Sequence, residues 1–375
     1  MSSLLEKQNN KYIQQVSSFV SIINKLSVEM DDGEYDEKPM FRGNYCHTGF
    51  EKHNKIGNNP ELLFKFCDLT NVTSTPLIAD NKIFFGCDTG IMFCLDENGC
   101  ELWRYTTGRE IKSSAAKSSN TIFFGCFDSY FYCLYAKTGS LKWKFKTDDW
   151  IFSSPLIYSG LVIFGGMDGN MYALNENDGS LRWKFKTESW VVCSPALYND
   201  TIYFGSRDRS FYALNYLTGE LVWKVDLKSP IHASPVVYKN KIFVSGIDNV
   251  MHALDYKSGE HIWKYTTLGP VFSSAAVVND VLFFGAKDGF LYAINAETSL
   301  LKWKVEIGKS IHSSPLIVGD KVLFGCDDYY LYCLNFDDGK LNWKYKTEYK
   351  IRSSPVLIND TIVIGSQYLY GIRVK

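Results

Sequence analysis

Residues 191–230 read VVCSPALYNDTIYFGSRDRSFYALNYLTGELVWKVDLKSP, and this stretch decides the fold. It contains four short runs of β-branched and aromatic residues, VVCSPALY, TIYFGS, FYALN and LVWKV, each bounded by Gly, Asn or Asp. Asn199-Asp200 separates the first two runs, and both residue types tolerate the positive φ that tight hairpins need. The stretch is therefore predicted to form four antiparallel strands, named A to D from its N-terminal end.

The same unit recurs along most of the 375-residue chain. Seven tryptophans mark it at intervals of 40 residues, at 103, 143, 183, 223, 263, 303 and 343. Such a period indicates one supersecondary unit repeated many times. Eight strand-A starts can be counted, at Val72, Ile111, Ile151, Val191, Ile231, Val271, Ile311 and Ile351. Four-stranded units of this length predict an all-β fold, an eight-bladed β-propeller of four-stranded antiparallel blades.

The last repeat lacks a strand D, and an upstream segment can supply it. Strand 60–67 has the pattern of the other D strands, with Phe64 at the tryptophan position, and is predicted to join blade 351–375. The propeller is thus assigned to residues 41–375. Residues 1–40 are predicted to form an amphipathic N-terminal helix and an acidic linker, because apolar residues recur there at helical spacing. Three alternatives for this segment stay open: packing on the propeller, docking to a partner, or a disordered tail.

Composition limits the partners and the compartment. The formal net charge is -1, so no nucleic acid or anionic membrane is expected as a partner. The sequence contains no run of eighteen apolar residues, so no membrane span is predicted. The first residues lack the features of a secretory signal, and the ten cysteines are scattered as single small residues. A cytoplasmic location without structural disulfides is predicted. The sequence contains no CxxC pair, so no zinc site is predicted.

The repeat pattern resembles that of a known superfamily, the PQQ-binding-like propellers. The residues that carry the resemblance in one repeat are Gly205, Asp208, Tyr212, Ala213, Leu214, Asn215, Thr218, Gly219 and Trp223. The segments 40–44 and 47–49 also resemble the lead-in common in such proteins. The resemblance covers 41–375 and implies that each strand-D tryptophan docks on a neighbouring blade. The superfamily includes both quinoprotein alcohol dehydrogenases and the outer-membrane assembly lipoprotein of the Bam complex.

Cofactor use departs from the enzymes of that superfamily. Quinoprotein dehydrogenases carry adjacent cysteines, and no two cysteines adjoin here. Their calcium ligands and catalytic aspartate have no matching positions. PQQ is therefore not expected, and no other cofactor is predicted.

A second ladder of residues at intervals of 40 consists of aspartates. Its members are Asp88, Asp128, Asp168, Asp208, Asp248, Asp288 and Asp328. Each is predicted to lie in a B–C turn, where it accepts hydrogen bonds from backbone N–H groups. Blade symmetry would spread these carboxylates around a circle, so a shared metal site is not expected.

Candidate binding residues are those that vary where the repeat template is otherwise kept. One such residue follows the first residue of each strand-A motif I-x-S-S-P: Thr73, Lys112, Phe152, Val192, His232, Phe272, His312 and Arg352. Strand A is innermost in a propeller, so these side chains are predicted to approach the channel mouth. Basic and apolar members occupy different arcs, which suits a ligand with an anionic end and an apolar body. The alternative is that they pack between blades.

The D–A loops add two tryptophans outside the repeat template, Trp150 and Trp190. Aromatic clusters of this kind often mark binding surfaces, although a local hydrophobic lid is the alternative. Arg109, Arg207, Lys309 and Tyr349 are expected on the same face. The predicted binding residues are Lys112, Trp150, Phe152, Trp190, Phe272 and Arg352.

His232 and His312 are the candidate catalytic residues, because the unperturbed pKa of histidine lies near neutrality. They are two blades apart, and shared metal binding is not expected. We predict a cytoplasmic binding or scaffold module that recognises a protein or small ligand at the loop face of the channel. The alternative is an enzyme that acts on a small anionic or acyl substrate at the channel mouth, as in a biosynthetic pathway, using these histidines with Lys112 or Arg352.

Overall fold

Each repeat folds as one antiparallel sheet in a computed structural model that describes residues 40–51, 56–66 and 71–375. A short 3₁₀ turn (Phe41–Gly43) precedes β1 (Phe50–Glu51) and β2 (Pro60–Phe66). Blade 1 consists of β3 (Leu77–Ala79), β4 (Lys82–Gly86), β5 (Ile91–Asp96) and β6 (Glu101–Thr106), and blade 2 of β7 (Ala116–Ser118), β8 (Thr121–Gly125), β9 (Tyr130–Tyr135) and β10 (Leu141–Lys146). Blade 3 consists of β11 (Leu156–Tyr158), β12 (Leu161–Gly165), β13 (Asn170–Asn175) and β14 (Leu181–Lys186), and blade 4 of β15 (Ala196–Tyr198), β16 (Thr201–Gly205), β17 (Ser210–Asn215) and β18 (Leu221–Asp226).

The remaining four blades continue the pattern. Blade 5 consists of β19 (Val236–Tyr238), β20 (Lys241–Ser245), β21 (Val250–Asp255) and β22 (His261–Thr266), and blade 6 of β23 (Ala276–Val278), β24 (Val281–Gly285), β25 (Phe290–Asn295) and β26 (Leu301–Glu306). Blade 7 consists of β27 (Leu316–Val318), β28 (Lys321–Gly325), β29 (Tyr330–Asn335) and β30 (Leu341–Lys346). Blade 8 consists of β31 (Val356–Ile358), β32 (Thr361–Gly365) and β33 (Leu369–Val374), with β2 as the fourth strand. The predicted eight-bladed propeller is confirmed. All these residues belong to one compact unit, Glu37–Lys375.

Tight hairpins join strands A and B as the sequence predicted. Asn199 and Asp200 adopt φ values of 46° and 57°, the left-handed region that Asn and Asp tolerate best after glycine. Strand A is only three residues long, and strands B and C are almost wholly buried. The core therefore lies between facing sheets, where apolar residues of adjacent blades pack together.

Blade 8 is completed by strands from distant parts of the chain. β2 pairs antiparallel with β33, with Leu62 opposite Ile372. The Phe64 ring lies against Gly99 of blade 1, in the way that Trp103 lies against Gly139 of blade 2. Phe64 therefore takes the place of the repeat tryptophan, and the ring of sheets has no open edge between blades 8 and 1.

The repeat tryptophans link each blade to the next. In six blades the indole Nε1 donates to a backbone carbonyl 33 residues further along, at 2.9–3.2 Å. Trp183, for example, donates to the carbonyl of Tyr216 at 2.9 Å. Trp343 is buried, and its Nε1 has no hydrogen-bond partner among the described residues. The docking that the family resemblance implied is thus present.

A belt of serines joins the inner strands. The backbone N–H of Ser154 donates to Ser194 Oγ at 3.0 Å, and Ser194 N–H donates to Ser234 Oγ at 2.9 Å. The same bond occurs at seven consecutive blade junctions, from Thr75 to Ser354. This accounts for the second serine of the I-x-S-S-P motif.

Residues 40–51 run along the inner strands of blades 4 to 7. Four carbonyls of this lead-in segment, those of Tyr45, Cys46, Thr48 and Gly49, accept hydrogen bonds at 2.8–2.9 Å from the inner strands of blades 4 to 7. The donors are the backbone N–H groups of Leu197, Val237, Val277 and Ile317, in the same order. β1 also pairs parallel with β27, so blade 7 has five strands instead of the predicted four.

The predicted N-terminal helix and acidic linker, residues 1–40, lie outside the described residues except for Met40. No helix in the part of the chain that the structure describes has the length and apolar character needed to cross a membrane.

Candidate functional site

The variable residue of the strand-A motif faces the channel mouth. In blade 3, Ile151 and Ser153 are fully buried on either side of Phe152, which is 43% exposed. The same position is at least partly exposed in every blade except blade 4, where Val192 is 7% exposed. We call these eight residues the mouth ring: Thr73, Lys112, Phe152, Val192, His232, Phe272, His312 and Arg352.

A second ring of variable residues stands beside the first, in the B–C turns. Its backbone N–H groups are anchored to the D–A loops, as where Met167 donates to the Trp150 carbonyl at 2.8 Å and Arg207 donates to the Trp190 carbonyl at 2.9 Å. We call it the turn ring: Asp88, Phe127, Met167, Arg207, Ile247, Lys287, Asp327 and Gln367. Only Arg207 among them was expected on this face from the sequence. The others share the signal that revealed the mouth ring, a variable side chain inside a constant template.

Asp88 does not belong to the aspartate ladder in which the sequence analysis placed it. Gly90 N donates to the Cys87 carbonyl as Ser129 N donates to the Cys126 carbonyl. Asp88 is therefore equivalent to Phe127, and Thr89 stands where the ladder aspartate would be. The error arose because blade 1 is one residue shorter between strands C and D, which moves its tryptophan relative to the turn.

The other ladder aspartates hold their own turns together. Asp168 accepts hydrogen bonds from the Asn170 backbone N–H at 2.9 Å and from the Tyr172 hydroxyl at 2.7 Å. Burial and this aspartate raise the pKa of Tyr172 above its ordinary range. The same tyrosine–aspartate pair occurs in blades 2, 4, 6 and 7. These carboxylates therefore stabilise turns, and among the described residues no three His, Cys, Asp or Glu side chains converge as metal ligands.

Two mouth-ring cations are neutralised by turn-ring acids. Arg352 Nε and Nη2 donate to the Asp327 carboxylate at 3.1 and 3.0 Å. Burial pushes the pKa of Asp327 up, but the hydrogen bonds and charge of Arg352 outweigh it, and the pKa lies below its ordinary value. Lys112 Nζ lies 3.2 Å from Asp88. In the arc that the sequence assigned to the anionic end of a ligand, each mouth-ring cation is thus paired with a carboxylate.

Two turn-ring cations lie on aromatic rings instead. The Arg207 guanidinium is 4.8 Å from the centroid of the Trp190 ring, and Lys287 Nζ is 4.9 Å from that of Phe272. Neither has an acidic partner within 4.0 Å among the described residues. A cation over an aromatic face is attracted by the ring quadrupole but keeps its charge. Blades 4 to 6 therefore present two cations that have no acidic partner among the described residues.

The two candidate catalytic histidines flank Phe272. The ring centroids of His232 and Phe272 are 5.6 Å apart, and those of Phe272 and His312 are 5.7 Å apart. Burial, aided by the charge of Arg207, lowers the pKa of His232 to about 4. Burial also lowers the pKa of His312, although the charge of Asp327 opposes this. Both imidazoles are neutral at pH 7, and the intervening phenyl ring separates them.

An aromatic arc occupies the mouth at blades 2 to 4. The Trp150 ring stacks on Phe127 with centroids 4.9 Å apart, and Phe127 lies 6.2 Å from Phe152. The Arg109 guanidinium lies 4.8 Å from the Trp150 ring, and Arg109 also pairs with Glu110. Trp190 is 40% exposed at the corresponding loop position of the next blade. The structure therefore gathers Trp150 and Phe152 around Phe127, places Trp190 under Arg207 at the next blade, and places Phe272 beside Lys287.

A ring of eight four-stranded blades with one mouth of varied side chains defines this protein as a β-propeller, and its solved neighbours share the PQQ-like form of that fold. The chain belongs to the family described as "Beta-alanine-activating enzyme, beta-propeller", whose model matches residues 72–322. A comparison with curated proteins found no significant match.

Solved structures share the fold at low sequence identity. BamB from Moraxella catarrhalis is 18% identical with a TM-score of 0.73, over 84% of this chain and 98% of that one. The quinohemoprotein alcohol dehydrogenase from Comamonas testosteroni is 13% identical with a TM-score of 0.82, over 92% of this chain and 82% of that one. The computationally designed Ika8 protein is 16% identical with a TM-score of 0.75, over 84% and 100% of the two chains.

Proposed function

We propose that this propeller is a recognition module that binds, at its channel mouth, a ligand with an anionic group attached to a planar apolar body. The observation that carries the proposal is the separation of charge around the mouth. Lys112 and Arg352 are each paired with a carboxylate, whereas the partners of Arg207 and Lys287 among the described residues are aromatic rings. The anionic group would therefore lie at blades 4 to 6.

The apolar body has a matching surface beside those cations. Trp190 is exposed next to Arg207, and the arc of Phe127, Trp150 and Phe152 continues from it around the mouth. Rigid aromatic rings supply contact area at low cost in side-chain entropy. A ligand held by these side chains would enter from the loop face.

The proposal is tested with 1-naphthyl phosphate as probe and 1-naphthol as its uncharged counterpart, by isothermal titration calorimetry. We expect saturable binding of the phosphate at a ratio of one to one and much weaker binding of naphthol. Arg207→Gln and Trp190→Ala should each weaken phosphate binding by about tenfold, the loss of roughly 1.4 kcal/mol. Unchanged affinity in both variants, or equal affinity for naphthol, would reject the site.

The matched control is Lys112→Gln, which removes a mouth-ring cation that Asp88 already neutralises. Its effect on phosphate binding should be below threefold. Thermal unfolding of all variants establishes that they remain folded. If Lys112→Gln weakens binding as much as Arg207→Gln does, the separation of paired and unpaired charge does not govern recognition.

A second candidate rests on the family match, since the family description names an enzyme that activates β-alanine. The module would then serve such an enzyme, or carry out a step on a small anionic or acyl substrate with His232 and His312 as acid–base groups. Turnover of an acyl substrate that His312→Gln abolishes without changing thermal stability would favour this candidate.

We also propose a cytoplasmic location. Support comes from the cysteines of the described residues, which are free thiols, eight of them buried. Burial raises the pKa of Cys193 and Cys126 to about 12, which keeps these thiols protonated and unreactive. Immunolocalisation of the tagged chain outside the cytoplasm would contradict this placement.

A further inference from the structure

A cavity of about 410 Å³ lies at the mouth where blades 7 and 8 meet blade 1. We call it the seam cavity, and the lining residues that carry the argument are Thr73, Tyr329, Tyr349, Lys350, Arg352 and Gln367. Its size suits a small molecule. It lies on the opposite side of the mouth from Arg207 and Trp190.

Tyr329 occupies a backbone position that disfavours it. Its φ is 77°, at the turn position where other blades carry Gly90, Gly169 or Gly289, with φ values of 80° to 85°. A bulky residue with left-handed backbone is an outlier that costs free energy. Its ring is 41% exposed and lines the cavity, so burial in the core does not explain the choice of residue.

Thr347 holds the two cavity tyrosines in place. Its Oγ1 lies 2.8 Å from the carbonyl oxygens of both Tyr329 and Tyr349, which share its one hydroxyl hydrogen, and its backbone N–H also donates to the Tyr329 carbonyl. Tyr349 is 42% exposed. The phenol hydroxyls of both tyrosines form no hydrogen bond to another described residue. Two exposed aromatic rings on an ordered backbone are thus presented at one cavity.

The charges at the cavity leave one positive charge. Arg352 and Lys350 both line it, and the single carboxylate of Asp327 serves both, at 3.0 Å from Arg352 and 3.8 Å from Lys350. The salt bridge uses Nε and Nη2 of Arg352, so Nη1 is left to donate elsewhere. One net charge matches a monoanion such as a carboxylate better than a dianion such as a phosphate ester.

We propose that the seam cavity is a separate small-molecule site that takes an aromatic monocarboxylate. The carboxylate accepts from Lys350 and Arg352, and the planar ring lies against Tyr329 and Tyr349. Gln367, whose side-chain amide has no partner among the described residues, supplies polar contact at the far wall. This site goes beyond the proposed function, since it uses different residues from those that hold the mouth ligand.

The test uses benzoate, with cyclohexanecarboxylate, benzyl alcohol and phenyl phosphate as matched probes, in calorimetric titrations. Benzoate should bind saturably and at least fivefold more tightly than each of the other three. Tyr329→Gly should weaken benzoate binding about tenfold while the thermal midpoint stays the same or rises, because glycine relieves the positive φ. Lys350→Gln should weaken benzoate binding without affecting the fold.

The control variant is Ser129→Gly, at the same turn position of blade 2, where φ is 66°. It should leave benzoate binding unchanged. The proposal is overturned if benzoate does not saturate the wild-type protein, if Tyr329→Gly binds it normally, or if phenyl phosphate binds more tightly. Binding of 1-naphthyl phosphate at the mouth should be unaffected by Tyr329→Gly, so the two sites can fail independently.

Discussion

Among single residues, the buried His47 makes the stability of the protein depend on pH in the acid range. Its side chain is 2% exposed, and its Nδ1 lies 3.1 Å from the Pro235 carbonyl. Burial lowers the pKa of His47 to about 3. Between pH 6.5 and pH 3 the unfolded chain therefore binds a proton that the folded chain does not, so stability is full above pH 6.5 and falls on acidification.

We predict that replacing His47 with Gln flattens this acid dependence. Each group of this kind contributes up to about 1.4 kcal/mol per pH unit within its window, and Gln does not titrate. Urea unfolding of both proteins at pH 7.0, 6.0 and 5.0 measures the free energy of unfolding. An identical slope with pH in the two proteins would show that His47 is not the group responsible.

The repeat tryptophans offer a comparison between two chemically identical residues. Trp183 donates a hydrogen bond to the Tyr216 carbonyl, whereas Trp343 Nε1 has no partner among the described residues. We predict that Trp183→Phe lowers the free energy of unfolding by about 1–2 kcal/mol more than Trp343→Phe does. Chemical denaturation checks this, and equal losses would indicate that packing alone sets the cost at both sites.

At the residue scale the sequence reveals candidates but not their pairing. The mouth ring could be predicted because a variable residue inside a constant motif stands out in one dimension. The pairing of Lys112 and Arg352 with carboxylates could not be predicted, because the partners Asp88 and Asp327 come in each case from the preceding blade. Tyr329 had a readable signal, an aromatic residue where several blades carry glycine, but its meaning required the observed φ.

At the scale of elements, the lead-in segment depends on the packing of Arg42. Arg42 Nη1 and Nη2 donate to the carbonyls of Pro315 and Ala275, both at 2.6 Å, and the residue is 8% exposed. Gly49 leaves room for it: a Cβ there would lie 2.1 Å from Nη2, and φ is 63°. The segment therefore needs glycine at this position for two reasons.

We predict that Gly49→Ala destabilises the protein by about 3 kcal/mol, because it displaces a buried guanidinium in addition to straining the backbone. Gly43→Ala is the control, since its φ is 80° but no atom of the described residues lies within 4 Å of the added Cβ. It should cost only the backbone term of about 1 kcal/mol. Equal losses in urea unfolding would mean that the contact with Arg42 is unimportant.

Strands and hairpins were predictable from the sequence because their determinants are local. Short runs of β-branched and aromatic residues, turn residues such as Asn199-Asp200 and the 40-residue period fix each blade within its own repeat. The path of residues 45–51 was not predictable, since it is set by carbonyls that accept from four different blades. Blade 1 has one residue fewer between strands C and D, so a position counted from its tryptophan does not match the B–C turn. For this reason Asp88 was wrongly aligned with the ladder aspartates.

At the scale of the whole molecule, identical blades provide stability and unlike mouth residues provide individuality. The tryptophan and serine contacts repeat around the ring, so a change at the mouth is not expected to alter the fold. This separation lets the aromatic arc, the free cations and the seam cavity differ from blade to blade on a rigid body. These unlike side chains are what we propose for recognition at the mouth.

The most direct measurement is a crystal structure of the protein soaked with 1-naphthyl phosphate. We predict electron density for the ligand at the mouth. Its phosphate should lie within hydrogen-bond distance of Arg207 and Lys287, and its naphthyl ring should lie against Trp190 or Phe272. Density confined to the outer wall of the blades, or a phosphate held by Lys112 or Arg352 instead, would contradict it.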